Sequence, residues 1–241
     1  MSWGPNSFTL HRAAIAALVA TAAVSAAANV LVVRSAGPSA KSYPAGRSLP
    51  DNARINLQAG DSLTVLGPTG TRSFRGPGTF SPSAAVRAGP QTLASNDGRR
   101  ARIGAVRNAG IVPRSPTIWH VDVTQSGTIC LAGTSNVMLW RPDSSAATAL
   151  TITPPSGGAR TVRWPAGQAT IGWPSGTPIV SGGVYSFAEQ GIAVPTRITF
   201  RTLTTEPADL QAVAAALIEN GCQDQLEVLV ETQPDLTAPA G

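Results

Sequence analysis

Apolar and polar residues alternate in short runs along most of the chain. Val30 to Val33 is a continuous β-branched and Leu run that predicts a first strand. Ile55 and Leu57 alternate with Asn56 and Gln58, the pattern of a half-buried strand. In the stretch DSLTVLGPTGTRSFRGPGTF (61–80), Leu63 and Val65 face one way and Gly67-Pro68-Thr69-Gly70 turns the chain. Thr71 to Phe74 then pairs back, offering the Phe74 ring to the core. Gly76-Pro77-Gly78 stops the hairpin, because proline has no N–H for a continuing ladder. From Thr117 the β pattern resumes in IWHVDVTQSGTICLAG, NVMLWRPD, ATALTITPP, ARTVRWPAGQATIGWPSG, GGVYSFAEQG and TRITFRTL. Short runs broken by Gly, Pro, Ser and Asp are the signature of a sandwich or barrel.

The period changes near the end. Leu210, Val213, Ala214, Leu217 and Ile218 fall at helical spacing, with Thr205 as the expected cap, Pro207 and Asp209 in the first turn and Gly221 as terminator. In 223–231, Leu226, Leu229 and Val230 fit a helix, while Leu226, Val228 and Val230 fit a strand. The helix is the preferred reading. The expected fold is therefore mainly β: a small β-domain over 29–90, an Arg-rich basic linker over 91–116 and a β-sandwich-like domain over 117–203. A helical pair follows over 204–232, and a disordered tail over 233–241.

The first residues predict export. Met1 to Arg12 is polar and basic, and Ala13 to Ala28 is a run of small apolar residues relieved only by Thr21 and Ser25. Small-x-small sites follow, the three-part form of a signal peptide over 1–28, with cleavage near Asn29 preferred to an uncleaved anchor. Membrane contact is expected only through this leader if it is retained. No Cys follows the run, which speaks against a lipid anchor. The expected location is the periplasm or cell envelope. Export also changes the reading of the two cysteines, Cys130 and Cys222: one disulfide is expected, against the alternative of two buried thiols. Two Cys without nearby His fall short of a metal site.

Charge is unevenly divided. From Asn29 to Arg114 there are twelve Lys and Arg against three acids, and from Ser115 onward five Arg against ten acids. The halves can attract each other, or the basic half can face an anionic partner; a solvated surface is the plainer reading. Arg72, Arg75, Arg99, Arg100, Arg102 and Arg107 form the candidate interaction patch. Nucleic acid is not expected as a partner of an exported chain.

Residues Val30 to Ser83 resemble the FecR-like domain of bacterial envelope proteins. The resemblance is carried by Gly46, Leu49, the strand Ile55 to Leu57, Gly60-Asp61, Leu63 to Leu66 and Gly70-Thr71. It implies a small exported β-domain used for interaction. Signalling members carry a cytoplasmic anti-sigma segment before a membrane span, and only about a dozen residues precede the apolar run here. The regulatory role is therefore not carried over.

Candidate chemistry is sparse. His120 shares a strand face with Asp122, and Ser126 follows, but triad members normally converge from separate elements, so a surface His–Asp pair is the preferred reading. Asp122, Asp143 and Glu189 are the carboxylates open to glycosidase-type chemistry, without a supporting motif. Asp61 reads as a turn carboxylate capping backbone amides. Trp140, Trp164 and Trp173 either close the core or form a surface that stacks on sugar rings, the core being preferred. No catalytic residue and no cofactor is expected. The protein reads as a non-catalytic envelope interaction module for a protein or glycan partner, with an envelope hydrolase or glycan-binding protein as the alternative.

Overall fold

The computed structural model describes Met1 and residues 29–82, 115–203 and 207–236. The expected leader, most of the basic linker with Arg99, Arg100, Arg102 and Arg107, the expected cap Thr205 and residues 237–241 lie outside them.

The N-terminal unit is built on β1 (Asn29–Ala36), β2 (Ser48–Pro50), β4 (Ser62–Gly67) and β5 (Gly70–Arg75). They form an antiparallel sheet in the order β2-β1-β4-β5, while β3 (Ile55–Leu57) pairs with β6 (Gly78–Phe80). The β4–β5 hairpin closes at Gly67 opposite Gly70, the turn that the glycines and Pro68 predict. Val30, Val32, Leu63, Val65 and Phe74 pack with Ile55 and Leu57 into one core. Leu31, Val33 and Leu66 point to the opposite face and are buried too. A strand covered on both faces reads as a continuous apolar run instead of an alternation, which is why VLVV and TVL look as they do.

Asp61 fixes the corner before β4. Its carboxylate accepts from the Ser39 amide at 2.9 Å and the Gln58 amide at 2.5 Å. Burial alone would raise its pKa; the Ser39 hydroxyl and amide and the Gln58 amide outweigh it and hold the carboxyl below its ordinary 3.8. Gly37, at φ +98°, lies so close that a Cβ there would collide with this carboxylate. The expected capping role is what the structure has.

The second unit is a β-sandwich. β8 (Gly127–Leu131), β10 (Thr148–Thr153), β11 (Arg160–Trp164), β13 (Val184–Glu189) and β14 (Thr196–Thr202) form one sheet, ordered β11-β10-β13-β14-β8. β7 (His120–Asp122), β9 (Met138–Trp140) and β12 (Thr170–Gly172) form the other, ordered β12-β9-β7. Between them lie Val121, Leu139, Leu150, Ile152, Trp164, Tyr185, Phe187, Ile198 and Phe200. β8 lies parallel to β14, and β7 parallel to β9.

The helical pair is α1 (Leu210–Glu219) and α2 (Gln223–Thr232). The Asp209 side chain caps α1 by accepting from the Ala212 amide at 2.8 Å, so the cap falls four residues after the expected Thr205. Gly221, at φ +72°, ends α1 in the left-handed conformation that glycine adopts without penalty, and the Cys222 amide bonds back to the Leu217 carbonyl. The pair joins both units rather than closing the sandwich alone. Ala214, Leu217, Leu226 and Leu229 share a core with Leu31, Val33 and Leu66 from the first sheet and with Cys130 and Leu203 from the second.

A disulfide and three polar contacts hold this junction. Cys130 and Cys222 form a disulfide across 92 residues, with Cα atoms 5.9 Å apart and both side chains fully buried. On the chain-entropy model such a loop contributes about 4–5 kcal/mol. Gln225 of α2 lies against the outer edge of β8: its Oε1 accepts from the Cys130 amide at 2.6 Å, and its Nε2 donates to the Cys130 carbonyl at 2.9 Å. One side chain thus completes a strand edge. Gln211 of α1 does the same service for the first sheet, donating to the carbonyls of Asn29 and Leu66 at 2.8 and 2.9 Å. At the surface Arg34 of β1 pairs with Glu227 of α2, an ion pair between the basic and acidic parts of the chain.

The expected disordered tail is corrected at its start. Pro234 to Leu236 lies along β5, bridging Asp235 to Thr71 in parallel. Proline and a short loop end α2, and the open edge of β5 receives the backbone that follows.

Candidate functional site

The segment entering β7, the start of β8 and the exposed side of α2 enclose an open cleft of about 350 Å³. Its floor is made by Gln225, whose Nε2 also donates to the Ile118 carbonyl at 2.6 Å. His120 and Asp122 enter from β7, and Asp224 and Glu227 enter from α2. The three-residue spacing on α2 sets those two carboxylates on one helix face. Gly127 belongs to the same construction, because a Cβ there would sit 2.8 Å from the Asp224 carboxylate.

The polar groups are engaged locally. Thr117 Oγ1 lies 2.8 Å from His120 Nδ1 and also accepts from the Trp119 amide at 3.2 Å. Burial lowers the His120 pKa from its ordinary 6.5, so the ring stays neutral near pH 7. Asp122 Oδ1 accepts from the Thr124 amide at 2.8 Å and the Thr124 hydroxyl at 2.6 Å, the bonds of a local turn. His120 and Asp122 both line the cleft from β7, each bonded to its own threonine. Ser126 does not complete a triad: it does not line the cleft with His120, and its hydroxyl accepts from the Arg197 amide at 3.0 Å. The cleft is lined by the carboxylates of Asp224, of Asp122 (bonded to Thr124) and of Glu227 (paired with Arg34), by one neutral imidazole and by the hydroxyls of Ser115 and Thr117. That set suits hydrogen bonding to a cationic or polyhydroxyl group.

The remaining candidates disperse. Asp143 accepts from the Ser145 amide at 2.8 Å, and the Ser145 hydroxyl and amide, with Arg141 nearby, hold its pKa below the ordinary value despite some burial. Neither Asp143 nor Glu189 lines the cleft. The stacking surface is corrected. Trp140 and Trp164 are 3% and 0% exposed, and the Trp164 indole donates to the Gln168 carbonyl at 2.8 Å. Trp173 packs edge-on to Tyr185, Phe187 and Phe200, with centroids 5.4–6.2 Å away. Trp164 belongs to the sandwich core with Trp173 packed against it, whereas Trp140 is buried outside that cluster, beside the inward-facing Leu139. Within the basic patch, Arg72 is half-buried and donates to the Pro82 carbonyl at 2.6 Å, while Arg75 is exposed at the end of β5.

Sequence reading missed Asp224, Glu227 and Gln225, which sit among apolar helix positions and look like ordinary solvent-side residues. It also missed Arg141, which is 4% exposed. Arg141 donates to the carbonyls of Gln168, Ala146 and Pro165 and stacks over Trp164 at 5.0 Å. The Trp-Arg-Pro triplet does not signal this contact, because the ring that Arg141 covers is Trp164 and not its neighbour Trp140.

Among the described residues there is no helix long and apolar enough to cross a membrane and no cluster of metal ligands. The chain matches no protein-family model, no curated protein and no solved structure, so the FecR-like resemblance of residues 30–83 gains no support from these comparisons.

Proposed function

We propose that the protein is an exported, non-catalytic interaction module of the cell envelope. It presents a rigid surface to an envelope protein or glycan, in the manner the FecR-like resemblance implies. The observation that carries this reading is the buried Cys130–Cys222 disulfide, which welds a helical pair between two β units. Such a crosslink belongs to an oxidising compartment, and the rigidity it gives suits presentation of a surface. The local engagement of His120, Asp122 and Ser126 supports a non-catalytic role.

Crosslinking and pull-down from an envelope fraction test the reading. The native chain is compared with one in which Arg99, Arg100 and Arg102 are changed to Ser, and with one in which Asp224 and Glu227 are changed to Asn and Gln. A defined partner lost in either variant supports it. A reduced, cytosolic product without partners overturns it.

A second reading, an envelope hydrolase, is favoured by one feature: a hydroxyl and a neutral imidazole, Thr117 and His120, within hydrogen-bond distance at the mouth of the cleft. Turnover of ester or glycoside substrates abolished by His120→Ala and by Thr117→Val would establish it.

A further inference from the structure

β5 is the last strand of its sheet, and an edge strand presents unpaired backbone groups that another segment can adopt. The chain itself shows what this edge accepts. The Thr71 amide donates to the Pro234 carbonyl at 3.0 Å, and the Leu236 amide donates to the Thr71 carbonyl at 2.9 Å. The Thr71 hydroxyl adds a longer bond to Pro234 O at 3.4 Å. Gly70 is buried and carries no side chain at the point of closest approach, and a Cβ there would collide with the Pro234 carbonyl. Pro234 lacks an N–H to leave unpaired, and Leu236 lies half-buried beside an open cavity of about 180 Å³. Val30, Asp51, Val65, Pro68, Arg72 and Pro82 are among the residues that line that cavity. Leu236 borders the space without filling it.

We propose that this edge and its side cavity form a peptide-binding groove, and that Pro234–Leu236 is a tethered stand-in for the real ligand. The ligand is an extended segment of a partner protein with the form Pro-x-Φ, added as a parallel strand, where Φ is an aromatic residue large enough to fill the cavity. Main-chain bonds to Thr71 supply affinity, and the cavity supplies selectivity, the division of labour in strand addition. The chain's own tail competes at an effective concentration on the order of millimolar, as a short tether gives. A better-fitting segment displaces it. This inference stands apart from the cleft and from export, so its failure leaves both untouched.

The test uses labelled peptides TQPDLT, TQPDFT and TQPDDT with the full chain, both unsubstituted and carrying Leu236→Asp to release the tail. The Leu236→Asp chain is expected to bind TQPDFT saturably, several-fold tighter than TQPDLT, and TQPDDT not at all. The unsubstituted chain binds TQPDFT about tenfold more weakly through competition. Adding Gly70→Ala to the Leu236→Asp chain abolishes binding. No saturable binding at about 1 mM, equal binding of TQPDDT, or binding that survives Gly70→Ala overturns the proposal. Amide exchange on the unsubstituted chain decides the matter if a variant fails to fold. Excess TQPDFT must deprotect Leu236 while Thr71 stays protected, and unchanged protection at both sites rejects the groove.

Discussion

The two β units bury their apolar residues by different means. The sandwich is self-sufficient: two sheets face each other, and Trp164, Tyr185, Phe187 and Phe200 fill the space between them. The first sheet satisfies only one of its faces with its own residues. The other, bearing Leu31, Val33 and Leu66, is covered by helices some 150 residues further along the chain. Proximity in sequence is therefore a poor guide to the cooperative unit here. Residues 29–82 form a sheet whose second core is supplied from the C-terminus.

The most disruptive way to break this asymmetry is to remove the disulfide. Cys130→Ala with Cys222→Ala is expected to lower stability by about 4–5 kcal/mol in denaturant titration. The first sheet should lose amide protection before the sandwich does. Arg141→Ala strikes the sandwich instead. It strips donors from buried carbonyls, so a loss of about 2–3 kcal/mol is expected, with the helix junction retaining its protection. Gln225→Ala leaves the Cys130 amide and carbonyl unpaired in a buried setting and should cost about 2 kcal/mol by thermal melting. Gln211→Ala, at a wetter position, should cost about 1 kcal/mol.

Acid weakens the fold in two steps. The Asp61 pKa is depressed in the fold, so its contribution is full above the ordinary 3.8 and is lost as pH falls through the folded value. His120 is also depressed, from 6.5. Its contribution is complete above that value and declines below it as protonation favours the unfolded chain. Melts at stepped pH should therefore show a first loss on the sandwich side as His120 charges, then a second at lower pH that Asp61 in the first sheet shares with Asp143 in the sandwich, and Asp61→Asn should remove only the first sheet's part of it. The smallest effect belongs to Arg34→Ala, because both members of the ion pair are nearly half exposed. A change below about 1 kcal/mol, vanishing in high salt, is expected.

Much of the architecture was legible in the sequence because it is local. Strand runs, the Gly67–Gly70 turn, the Asp61 corner and the Gly221 stop depend on neighbours within a few positions. The paired cysteines were legible through compartment chemistry. What escaped reading depends on partners far away. Gln211 and Gln225 look like solvent-side residues of amphipathic helices until a strand edge is set beside them. Asp224 and Glu227 become a site only when α2 lies across the entry to β7. The tail resembled a frayed end because the edge that receives Pro234 to Leu236 is contributed by residues near Thr71.

The shared core has a consequence for biogenesis. A ribosome releases the N-terminal sheet long before it makes Leu217, Leu226 and Leu229, so the nascent chain carries a bare oily plane through most of its elongation. Products halted ahead of residue 210 should clump, whereas finished ones fold. A holdase that shields this plane until the last helices arrive would set the yield of finished protein.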